Sequence, residues 1–109
     1  MSKKVIDIGR DFSPVPAGRF KEDGPFNGRK FRQKFLVPAL ASFQEVYVDI
    51  DRTEGYGSSF LEEAFGGLIR EEGFTLESLQ DRLVIVSNQD RTKRYKRLIE
   101  KYLRDAANE

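Results

Sequence analysis

The chain has 109 residues with no cysteine and no histidine, so disulfides, thiolate nucleophiles, imidazole bases and thiolate or imidazole zinc sites are excluded. Its net charge of +1 hides a segregation: residues 1–44 hold nine Lys/Arg against four Asp/Glu, residues 45–81 two against ten, and residues 82–109 eight against four. The length fits one domain over 1–109, and no apolar run is long enough to span a bilayer or serve as a signal-peptide core, so a cytoplasmic protein is expected.

In chain order, "VIDIG" at 5–9 alternates apolar and polar residues and predicts a strand. Residues 11–28, "DFSPVPAGRFKEDGPFNG", read as a long loop with room for a short strand at 18–21. A helix follows, with Phe31, Phe35 and Leu36 on its apolar side and Arg29, Lys30, Arg32 and Lys34 on the others. Pro38 predicts a kink or an end. "EVYVDID" at 45–51 and "RLVIVS" at 82–87 predict strands buried on both faces.

Between them, Phe60, Leu61, Ala64, Phe65, Leu68 and Ile69 form one helical stripe. Gly66 and Gly67 inside it predict the close approach of a neighbour, and Gly73 a stop. "TLESL" at 75–79 predicts a short helix capped by Thr75. A last helix starts at Asp90, with Tyr95, Leu98, Ile99, Tyr102, Leu103 and Ala106 inward. The fold class expected is α/β: a mixed sheet of about four strands with helices packed on it.

"GYGSSFLEEAFGGL", residues 55–68, leaves a strand's carboxyl end and enters a helix, where α/β proteins place ligands. Ser59 and Glu62 have the spacing of a capping box. Ser58 lies just outside it, and a phosphate there would meet free amides and the positive end of the helix dipole. Both readings of the pair, helix cap and phosphoacceptor, stand at this point.

The run "VYVDIDRTEGYGSSFLEEAFGGLIR", with "DFSPVPAGR" and "DGPFNGRKFRQKFLVPAL" upstream, resembles the prokaryotic STAS-like family of unknown function, related to the STAS domains of anti-sigma factor antagonists. The resemblance spans roughly residues 5–87. It implies a non-catalytic regulatory domain without cofactor or metal, whose partner is a histidine-kinase-type ATPase. It implies Ser58 as phosphoacceptor, with Ser59 beside it. Gly57 and Phe60 depart from the aspartate and glycine that flank the serine pair in those antagonists. Gly55, Tyr56, Gly57, Phe60, Glu62 and Glu63 are the expected interaction surface, with the serine pair at its centre.

Three further features carry chemistry. Arg19 and Arg32 are candidate anion clamps, and Arg19 with the 58-onward helix N-terminus is the core of an alternative nucleotide-sensing reading. Asp49, Asp51 and Glu54 are either a Mg²⁺-type cluster or strand-end acids that pair with Arg19 or Arg32. Arg91, Lys93, Arg94, Lys96, Arg97, Lys101 and Arg104 on the last helix raise direct nucleic-acid binding, but no recognition motif accompanies them.

Overall fold

A computed structural model describes residues 2–109. Three strands, β1 (Lys3–Asp7), β2 (Glu45–Asp49) and β3 (Leu83–Val86), lie in the order β1-β2-β3 and are all parallel. The register sets Ile6 beside Val48 and Val48 beside Ile85; one residue earlier, Val5, Tyr47 and Val84 form the adjacent row. Side chains alternate across a strand, so these rows occupy opposite faces. The Ile6 row is buried, whereas Val5 is 48% exposed and Tyr47 and Val84 are half-buried.

Both β2 and β3 were expected to be covered on two faces; the structure corrects this to one. The residues already held the reason: Val46, Val48 and Ile50 alternate with Glu45, Tyr47 and Asp49, the period of a half-covered strand. The four-stranded mixed sheet is likewise corrected to three parallel strands. Residues 18–21 form no strand, and a short 3₁₀ turn, Lys21–Asp23, follows. Carbonyls of that loop are used elsewhere: Gly18 and Arg19 accept from the amides of Gly28 and Arg29 (2.9 and 3.0 Å).

The strand expected at 5–9 ends at Asp7, whose carboxylate accepts from the Arg10 amide and caps a π-helical turn, Ile8–Phe12. The other helices are α1 (residues 28–42), α2 (58–70), α3 (Leu76–Gln80) and α4 (Asp90–Ala107). Asn27 caps α1 through its side chain, which accepts from the Lys30 amide at 2.9 Å. α1 does not stop at Pro38. It passes through a π-helical stretch, Arg32–Leu36, where the Val37 amide reaches back to the Arg32 carbonyl, and runs on to Ser42. The widened turn accommodates a ring with no N–H to donate.

Another π-helical stretch, Glu62–Gly66, lies in the middle of α2. α2 packs between α1 and α4, which is why its residues from Glu63 to Leu68 are all buried. Gly73, at φ +83°, turns the chain after α2, and the Phe74 amide closes on the Leu68 carbonyl at 3.0 Å. Thr75 caps α3, as expected, and completes a capping box with Ser78.

One continuous core joins the covered sheet face to the helices. Phe12 anchors the long loop to it, with ring centroids 5.2 Å from Phe31, 5.6 Å from Phe35 and 6.2 Å from Phe60. Among the described residues no helix is long and apolar enough to cross a membrane.

Candidate functional site

The corner between β2 and α2, residues 50–59, is built by groups reaching in from three sides. Gly55 takes φ +147°, a conformation side chains disfavour. Tyr56 then turns inward, and its hydroxyl donates to the Ile50 carbonyl at 3.0 Å. Burial pushes the Tyr56 phenol above its ordinary value, so it stays a neutral donor.

Asp51 ties the corner to α4. Its carboxylate accepts from the Asn88 amide at 2.9 Å and from the Thr92 hydroxyl at 2.7 Å. Burial alone would raise this carboxyl, but the bonds from Thr92, Asn88 and Gln89 outweigh it and hold Asp51 below the ordinary range. Arg91 folds back from α4 onto the carbonyls of Asp51 (2.7 Å) and Thr53 (3.1 Å). The corner is therefore a braced structure.

Ser58 and Ser59 stand exposed at its tip, the first two residues of α2. The expected capping box does not form. Gly57 is the cap residue, with extended backbone and no side-chain cap bond. Glu62, which would have completed the box, is drawn away: Arg70 donates to its Oε2 at 2.6 Å and Arg19 to its Oε1. Two charge-assisted bonds outweigh one capping contact. Burial favours neutral Glu62, but its bonds from Arg70 and Arg19 prevail and hold its carboxyl below the ordinary value. The first intrahelical bond of this corner runs from Leu61 N–H to Gly57 O (3.3 Å). The amides of Ser58, Ser59 and Phe60 precede it, as orphan donors at a helix start do.

Of the residues expected to form the interaction surface, only some are exposed. Gly57, Ser58 and Ser59 are exposed, while Gly55 and Glu62 are half-buried. Phe60 is fully buried, its ring 5.9 Å from Phe31 and 6.0 Å from Tyr56. Tyr56 and Glu63 are buried as well. The stripe that fixes α2 in the core claims Phe60, and an arginine claims Glu63.

That arginine is Arg32, 2% exposed between α1 and α2. Its Nη1 donates to Glu63 Oε2 (2.8 Å) and to the Glu63 carbonyl, and its Nε to Glu72 Oε2 (2.9 Å). A guanidinium so enclosed clamps the protein's own carboxylates rather than an external anion. Arg19 is partly exposed but committed to Glu62, whose hydrogen bond raises the Arg19 pKa. Asp49 accepts from the Asp51 amide at 2.9 Å, and neither acid pairs with Arg19 or Arg32. Among the described residues no group of three or more His, Cys, Asp or Glu is gathered to hold a metal ion.

The basic face of α4 is also partly engaged. Arg91 braces the corner, Arg94 lies over the Tyr95 ring at 4.5 Å, and Lys101 pairs with Asp105 at 2.7 Å.

Sequence reasoning missed Asp51 as the brace and Glu63 as a buried acid. Glu63 sits three residues from Phe60, on the helix side that faces the core, and an acid on such a face signals a buried partner.

Three parallel strands, helices layered on one face and a serine pair where β2 yields to α2 describe an α/β domain of the STAS-like kind. Residues 27–93 match the family model described as STAS-like domain of unknown function (DUF4325). The match covers more than half of the chain, and the chain belongs to that family. No curated protein and no solved structure gives a significant match.

Proposed function

We propose that this STAS-like domain is a non-catalytic regulatory module that binds a protein partner through the tip of the 50–59 corner, with Ser58 as the phosphoacceptor that tunes docking. The observation carrying this reading is the placement of Ser58: an exposed hydroxyl, uncapped, beside orphan amides on a braced corner. Transfer of the γ-phosphoryl group of ATP to Ser58 Oγ releases ADP and the hydroxyl proton. It would place about −1.5 to −2 charges at the positive end of α2. Glu62 and Glu63 do not oppose that charge strongly, because arginines already neutralise them. An apolar or acidic partner surface docked on Ser58 and Ser59 would be repelled.

Resemblance to anti-sigma factor antagonists points to a histidine-kinase-type ATPase as the partner. The test is intact-mass measurement after incubation with Mg-ATP and such an ATPase encoded beside the gene. The expected result is a gain of one phosphoryl group on the wild type and none on Ser58→Ala. No gain on the wild type, or an equal gain on Ser58→Ala, rejects the switch.

A further inference from the structure

We propose that the groove between the 21–25 turn and the start of α1 binds the phosphate groups of a small polyphosphorylated ligand, of about the size of a nucleoside triphosphate. The groove has a volume of about 540 Å³, within the range of small-molecule sites. Lys21, Arg29, Lys30 and Lys34 line it with Asn27 and Gln33, and no carboxylate does.

Most buried or half-buried arginines of this chain have oxygen partners: Arg32 and Arg70 hold glutamates, and Arg82 holds the carbonyls of Gln44, Leu40 and Phe43. Of the four groove cations, Lys21, Arg29 and Lys34 are exposed and Lys30 is half-buried, and Arg29 lies over the Phe20 ring at 4.5 Å. None of them is ion-paired among the described residues. The nearby Asp23 carboxylate is turned to the amides of Arg19 and Phe20, at 3.0 Å each.

Their placement also opposes the local electrostatics. Arg29 and Lys30 occupy the first turn of α1, which holds no acid, where the helix dipole disfavours cations. Lys30 and Lys34 are a like-charged i, i+4 pair, which repels. A bound polyanion removes both penalties.

The helix terminus itself is not the binding group. The amides of Gly28, Arg29 and Lys30 already have acceptors in the carbonyls of Gly18 and Arg19 and the side chain of Asn27. The ligand's phosphates are held by side chains. This site is separate from Ser58 and does not depend on its modification.

Calorimetric titration with ATP, tripolyphosphate, adenosine and a single-stranded oligonucleotide tests the proposal. ATP and tripolyphosphate are expected to saturate one site, and adenosine is not. The double variant Lys30→Glu/Lys34→Glu should weaken both by at least about tenfold with a melting temperature close to that of the wild type, because the i, i+4 pair stays like-charged while an acid replaces a cation in the first turn of α1. Lys21→Gln/Arg29→Gln, at two exposed positions, is the second variant should the first misfold, and it should weaken both ligands too. Ser58→Ala should bind as the wild type does. Three results overturn the proposal: no saturable binding of ATP or tripolyphosphate, binding indifferent to the groove charges, or binding lost in Ser58→Ala. Oligonucleotide binding without small-ligand binding also overturns it and makes the groove a nucleic-acid surface.

Discussion

Arg32 of α1 places its Nη1 2.8 Å from Oε2 of Glu63 in α2, and the same nitrogen takes the Glu63 carbonyl. The contact lies inside the π-helical stretch Glu62–Gly66, where the ordinary backbone ladder is displaced. Insertion of a side chain into the ladder is a recognised origin of such a distortion. Both partners are nearly dry, at 2% and 6% side-chain exposure. Breaking a buried pair leaves a charge without compensation. Arg32→Met is therefore expected to destabilise the fold by about 3–5 kcal/mol. Arg32→Met with Glu63→Gln should recover part of that loss, the remainder reflecting the abandoned Glu72. Chemical denaturation of both single variants and the double variant gives the coupling. A coupling near zero would show that the pair adds nothing.

Gly67 permits that approach. A Cβ built there collides with the Arg32 guanidinium and comes within 3.1 Å of its Cδ. Alanine in mid-helix normally gains about 1 kcal/mol over glycine. Here the guanidinium has no slack, since oxygens hold it on two sides. Gly67→Ala is expected to lose about 1–3 kcal/mol instead, read as a lower denaturant midpoint with unchanged slope. A stabilised Gly67→Ala would mean that Arg32 swings away freely.

At Gly66 the near side chains, Glu62 and Arg70, belong to the same helix. The close approach of a neighbour at Gly67 was legible in the residues, because a glycine in a helix with an apolar stripe has few other uses. So were the helices, since stripes such as Tyr95–Ile99–Leu103 repeat cleanly. The sheet was less so: "EVYVDID" is apolar enough to pass for a doubly buried strand although its alternation shows one covered face. Arg32, Glu62 and Glu63 were misread because residue type alone places charges outside. Arg32 and Glu63 meet across 31 positions and Glu62 meets Arg19 across 43, separations to which local spacing is blind. Ser59 and Glu62 matched the capping pattern, and two arginines, Arg70 two turns along the same helix and the distant Arg19, overrode it.

Acid should unfold the protein, with Asp51 and Glu62 contributing. Both carboxyls lie below their ordinary values in the fold. A group depressed in the folded state contributes stability above its unfolded pKa and loses it as pH falls through the folded one. Unfolded Asp and Glu titrate near about 3.9 and 4.3, and the chain has no histidine to titrate at neutral pH. The melting temperature is expected to be level between about pH 6 and 8 and to fall below about pH 5. Asp51→Asn should melt lower than the wild type at pH 7 and converge on it at low pH. Parallel curves across the whole range would remove Asp51 from the explanation.

Phe60 and Ser58, two residues apart, should separate folding from docking. Phe60 is wholly enclosed by aromatic and aliphatic neighbours, so Phe60→Ala is expected to cost about 3–5 kcal/mol. Ser58 touches nothing that holds the fold, so Ser58→Ala should change stability by less than about 0.5 kcal/mol. Ser58→Asp puts a negative charge in the first turn of α2 and should stabilise the free domain by about 0.3–1 kcal/mol. Thermal melts rank the three variants, and partner titrations then read docking on folded protein. Weaker docking by Ser58→Asp, at equal or higher stability, assigns the effect to charge at the corner. Docking equal to wild type in both serine variants would move the partner surface away from this tip.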